Sequence, residues 1–84
     1  MYDYYFTFRS LTAAQQAAMV LHQNGLETEF LRAPSVLAEK GCSYALLLHH
    51  RNYYEAALIL RQYGSGFERV YRIWPGYAPE VVSL

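Results

Sequence analysis

Eighty-four residues make one domain, and seven basic residues balance seven acidic ones to a net charge of zero. That balance, with the charges scattered along the chain, argues against a phosphate-backbone or anionic-lipid binder. No apolar run approaches the roughly 20 residues of a membrane span, and a single cysteine excludes an internal disulfide.

Over half the residues are apolar and nine are tyrosines, enough to fold without metal or disulfide staples. The same surplus of apolar surface points to association with a second copy, so a homodimer is expected. Met1 runs straight into Tyr2-Asp3-Tyr4, without the basic-then-apolar pattern of a leader. A cytoplasmic, reducing setting is therefore expected, in which a lone thiol stays free.

In chain order, Tyr2, Tyr4, Phe6 and Phe8 alternate with Asp3, Tyr5, Thr7 and Arg9, which predicts a first strand over Tyr2 to Arg9. Ser10 is a helix N-cap candidate. The helix after it, about Leu11 to Asn24, places Leu11, Ala14, Ala17, Ala18 and Leu21 on one face, and Gly25 ends it. His22 reads as a solvated residue. Glu27 to Ala33 is the second strand, half-exposed and stopped by Pro34. Ser35 to Lys40 reads as a turn or one loose helical turn, with Gly41 as a hinge.

Ser43 to Leu48, the third strand, is apolar on both faces and so belongs at the centre of a sheet. A second helix, about Arg51 to Tyr63, turns Tyr53, Ala56, Ala57, Leu60 and Tyr63 inward. Phe67 to Ile73 is the fourth strand, and its interleaved charges mark an edge.

This β-α-β-β-α-β order predicts an α+β, ferredoxin-like sandwich: a four-stranded antiparallel sheet with two helices on one face. The domain spans residues 1–73. Residues 74–84 are an apolar tail broken by Pro75 and Pro79, expected to lack regular structure, with Trp74 packed on its own domain or on a partner. The helix-free face needs a cover, either the tail or the same face of another copy.

The chemistry-bearing candidate is Cys42, the only cysteine, placed where a loop enters the most apolar strand. Lys40 nearby lowers a thiol pKa, Ser43 offers a hydrogen bond, and Glu39 opposes both if it faces the sulfur. The competing reading of Cys42 is a small buried hydrophobe at a strand start. His49 and His50 stand about 20 Å away along the same strand, too far for a cysteine–histidine pair. Neighbours on a strand also point to opposite faces, so these two do not make a metal site. Cys42 alone supplies no acid, base or oxyanion donors, which argues for a carrier or interaction protein over an enzyme, with no cofactor and no metal. A base-stacking nucleic-acid platform is a weaker alternative, since the third strand lacks the aromatic spacing for it.

Several features together resemble a known family: Phe8-Arg9-Ser10 before an alanine-rich helix, Gly25 and then a strand ending Arg32-Ala33-Pro34, and a loop to one cysteine. An apolar strand, a helix and Val70-Tyr71 complete the pattern, which is similar to the selenium/sulfur (Se/S) carrier protein-like family over about Tyr4 to Ile73. A glycine usually follows the cysteine there; here Ser43 follows and Gly41 precedes. The resemblance implies a cytoplasmic carrier that holds sulfur or selenium on Cys42 as a persulfide or perselenide. It would take the atom from a cysteine desulfurase-type donor and pass it to an acceptor protein, with Lys40, Gly41 and Ser43 in support. The alternative is a non-enzymatic module that dimerises through its open sheet face.

Overall fold

The computed structural model describes residues 3–33, 44–49 and 52–82. Seven elements follow in order: β1 (Asp3–Phe8), α1 (Leu11–Gln23), β2 (Glu29–Arg32), β3 (Tyr44–His49), α2 (Tyr53–Gln62), β4 (Arg69–Ile73) and β5 (Glu80–Val81). The strands form one antiparallel sheet in the order β2-β3-β1-β4-β5. The first four strands and two helices are consistent with the ferredoxin-like arrangement.

The sheet has five strands, not the expected four, and the tail is not irregular. Its residues supply a turn. Pro75 sits at the second position of Trp74-Pro75-Gly76-Tyr77, and Gly76 takes φ 82° at the third. The Tyr77 N–H donates to the Trp74 carbonyl at 3.2 Å. Proline then a left-handed glycine is the pattern of a type II turn. It sends the chain back antiparallel to β4, pairing Tyr71 with Val81 and Arg72 with Glu80. β4 is therefore an interior strand despite its charges, and the two-residue β5 is the edge.

Strand alternation sorts the sheet into two faces. Tyr4, Phe6 and Phe8 of β1 meet Leu48, Leu46 and Tyr44 of β3 on the helix-bearing face, with Val70 opposite Phe6. Against them pack Ala14, Ala17 and Leu21 of α1 and Ala56, Ala57 and Leu60 of α2. The small alanines bring both helices close, so Phe6, Phe8, Leu21, Leu46 and Leu60 are fully buried. Each such side chain stabilises the fold by about 1.5–3 kcal/mol relative to exposure. The Tyr4 ring stacks on Tyr53 with centroids 4.3 Å apart, and Phe67 meets Phe6 edge-on at 5.3 Å.

Ser10 caps α1 as expected, its hydroxyl accepting from the Ala13 N–H at 3.0 Å. Both helices end in the same double bond. Gly25 donates to His22 and Leu26 to Leu21; Gly64 donates to Arg61 and Ser65 to Leu60. This is the Schellman motif, which needs a left-handed residue at Gly25 and Gly64. Two residues assigned to inward helix faces are instead exposed: Leu11 at 42% and Tyr63 at 60%. Leu11 opens the first turn of α1, and Tyr63 is the residue that closes α2, so neither lies over the sheet.

On the helix-free face, Thr7, Ala45 and Tyr71 are buried, Tyr5, Leu31, Leu47 and Ile73 are half-buried, and Val81 is exposed. The tail widens this face by one strand.

Candidate functional site

The candidate thiol Cys42 and its neighbours Lys40, Gly41 and Ser43 lie outside the described residues. The framework on either side of them is defined. β2 ends at Arg32 and β3 begins at Tyr44, so these two positions mark where the chain joins residues 34–43 to the sheet. Tyr44 lies between Phe8 and Arg32 in the sheet register, and its ring stacks with Phe30 at 5.9 Å. The cysteine segment is therefore rooted at the end of the sheet where β1 finishes and α1 begins.

The chain topology brings more to this end. β4 starts here, and α2 finishes here with Arg61 in its last turn. Thr7, buried on the helix-free face, ties β4 to β1 at this level. Its main-chain carbonyl accepts from Glu68 N–H at 2.8 Å. Its hydroxyl accepts from Arg69 N–H at 3.2 Å and donates to the Arg69 carbonyl at 3.3 Å. One residue of β1 thus answers two successive amides of the incoming strand, as in a β-bulge. Glu68, held this way, pairs with Arg9 Nε at 2.8 Å. Arg61 lies over the Phe67 ring, 5.8 Å from its centroid. Arg61, Phe67, Glu68, Arg69 and Val82 line a cleft of about 310 Å³.

Charge is consequently sorted by the fold. At the end from which the cysteine segment springs stand Arg9, Arg32, Arg61 and Arg69, all exposed, against Glu68 alone among the described residues. At the opposite end, among the described residues, Asp3, Glu27, Glu29, Glu55 and Glu80 stand against Arg72. Among the described residues the difference is four minus one positive at one end and five minus one negative at the other. The evenly scattered charges of the sequence hide this, because successive strands run in opposite directions.

His22 and His49 belong to the acidic end. His22 pairs through Nδ1 with Glu27, and His49 Nδ1 lies 2.9 Å from Asp3 Oδ1. His22 is exposed, as expected, but it has a carboxylate partner five residues on. His49 is the last residue of β3, at the far end of the strand from Tyr44. His50 lies outside the described residues. Among the described residues no group of three or more His, Cys, Asp or Glu could hold a metal, and no helix is long and apolar enough to cross a membrane. A second cleft, about 280 Å³, lies at the acidic end between Arg72, Trp74, Tyr77 and Glu80. Trp74 meets Tyr77 edge-on at 6.0 Å, so it packs within its own chain.

With this framework in view, comparison with known families is decisive for one point. The family described as "Putative Se/S carrier protein-like" matches residues 3–72, from the first residue of β1 almost to the end of β4. The chain belongs to that family. The match takes in both helices, the four strands of the ferredoxin-like unit and the cysteine segment, and stops before the turn that adds β5. No curated protein and no solved structure matches the chain.

Two features of this Se/S carrier-like protein escape a reading of its sequence. Thr7 looks like an ordinary outward strand residue, and only the register reveals that it pins β4. The arginine end is likewise invisible until the strands are aligned. The turn at Trp74 to Tyr77 did carry a local signal, proline followed by glycine between apolar residues.

Proposed function

We propose that this protein is a carrier of sulfur, or of selenium by the same chemistry, and that Cys42 is the atom-bearing residue. The observation that carries the reading is the family match over residues 3–72, which spans Cys42, in a chain with no other thiol. A persulfide or perselenide needs a thiolate to form on, so a carrier with one cysteine has one place to hold its cargo.

The step is an exchange between thiolates. The Cys42 thiolate attacks the outer sulfur of a donor persulfide, R–S–SH. A new S–S bond forms at Cys42 while the donor's S–S bond breaks. The products are Cys42–S–SH and the donor thiolate, with no net oxidation and no atom unaccounted for. Delivery is the same step in reverse sense: an acceptor thiolate attacks the outer sulfur, and Cys42 leaves as thiolate. Such exchange needs nucleophilicity and access, and no metal or cofactor. The arginines at the end where the cysteine segment is rooted add a positive field, which favours approach of anionic donor and acceptor groups. Lys40 adds a further positive charge from the segment, Gly41 gives it backbone freedom, and Ser43 supplies a hydrogen-bond donor. A cytoplasmic setting keeps the thiol reduced between cycles.

The test is transfer from a cysteine desulfurase charged with cysteine, followed by gel-shift alkylation of persulfide. Sulfur should appear on the wild-type protein and not on Cys42→Ser. Equal signal from the two, or no transfer to either, contradicts the reading.

A second reading, pairing of two copies through the helix-free face, draws on the apolar residues that face leaves partly uncovered: Tyr5, Leu31, Leu47, Ile73 and Val81.

A further inference from the structure

The charge separation has consequences for which molecules reach the cysteine segment. Along β2 the nearest opposite charges, Glu29 and Arg32, stand about 10 Å apart, and the extremes of the two ends are separated by about 17 Å along β1. Both distances exceed the Debye length of about 8 Å at physiological ionic strength, so each end presents its own field to an approaching partner. A neutral protein therefore behaves locally as a cation at one end and an anion at the other. Arg32 and Arg69 have no ion-pair partner among the described residues, and Arg61 rests on an aromatic ring. Arginines held this way remain available to carboxylates in the paired geometry they favour.

We propose that the end bearing Arg9, Arg32, Arg61 and Arg69 is the docking surface for an acidic surface patch on the protein that exchanges sulfur or selenium with Cys42. The proposal rests on the carrier reading for what the partner brings; the surface itself rests on the charge distribution. The arginine end attracts the acidic patch and the carboxylate end repels it, so the partner is turned towards the root of the cysteine segment. A compact acidic protein patch fits this field better than a nucleic acid does. A long polyanion overruns a patch this small and meets the five carboxylates beyond it.

The experiment uses two probes on the full chain. The first is a fluorescent, glutamate-rich peptide carrying serine at its centre, with a lysine-rich counterpart and a single-stranded RNA as comparisons. Binding is read by fluorescence anisotropy. The second is the same pair of peptides carrying a persulfidated cysteine, beside a small neutral persulfide, and here transfer to Cys42 is timed. The acidic peptide should bind and should deliver sulfur about tenfold faster than the lysine peptide at low salt, the lower end of what electrostatic steering provides. The preference should vanish at about 0.5 M salt, where the Debye length falls to a few Å. Arg32→Glu and Arg69→Glu should each reduce it, and Arg32→Lys and Arg69→Lys should keep it, with circular dichroism verifying the fold of all four.

Transfer from the neutral persulfide with no charge preference among the peptides overturns the docking surface and leaves the carrier standing. Binding of the acidic peptide with no transfer from any persulfide overturns the carrier and leaves an acid-binding surface. RNA binding tighter than the acidic peptide overturns the choice of a protein partner.

Discussion

Thr7→Val removes one hydroxyl from a fully buried position and changes little else in shape. In the wild-type protein that hydroxyl holds Arg69 by both its N–H and its carbonyl, at 3.2 and 3.3 Å. A net hydrogen bond contributes about 0.5–1.5 kcal/mol, and leaving the Arg69 amide without it adds a desolvation cost of similar size. Valine's preference for strands offsets a few tenths of that. The expected loss is about 2 kcal/mol, which in a domain of 84 residues lowers the thermal midpoint by about 8–16 °C. Calorimetry measures the midpoint, and amide hydrogen exchange identifies the cause. In Thr7→Val the Arg69 amide should lose protection while the Leu46 amide keeps it. Thr7→Ser, which retains the hydroxyl, should leave Arg69 protected even though the lost methyl lowers the midpoint. An unchanged or higher midpoint for Thr7→Val, with Arg69 still protected, refutes the claim that this side chain anchors the start of β4.

Three further outcomes are expected. Ser10→Ala takes away the α1 cap and should cost about 1 kcal/mol in urea unfolding; no change would mean that the Ala13 N–H finds an equal partner in water. Leu60→Ala opens the junction of α2 with the sheet and should cost about 2–5 kcal/mol by the same assay, with a value under 1 showing that the site collapses around the gap. A chain ending at Ile73 loses β5 and the Val82 N–H bond to the Val70 carbonyl, so it should keep its helical circular dichroism but melt at a lower temperature. Light scattering on that chain and on the full one also tests the second reading, which a monomer in both cases removes.

The sequence was a good guide wherever local chemistry decides. Ser10 announces a helix start because its hydroxyl suits a bare amide. Gly25 announces the end of α1 because the Schellman motif demands a left-handed residue. The apolar doubling of residues 44–48 places β3 at the centre because both its faces need cover. The misreadings have a common origin in non-local pairing. β4 carries Glu68, Arg69 and Arg72 beside it and looks like an edge, yet the return of the tail through Pro75-Gly76 makes it interior. Two prolines suggested an irregular tail, but one of them shapes the turn and the other precedes the strand. The arginine end depends on strand direction and register, which are absent from any one stretch of sequence. For the thiol itself, composition establishes that Cys42 is alone, and the sheet establishes where its segment is rooted.

Mass spectrometry of the protein purified from cells, with thiols blocked at lysis, tests the carrier role most directly. The account predicts a population whose only modified cysteine peptide contains Cys42 with one additional sulfur or selenium atom, released by a reductant. Cys42 found wholly as the plain thiol, in cells with active desulfurase and ample sulfur, would contradict it.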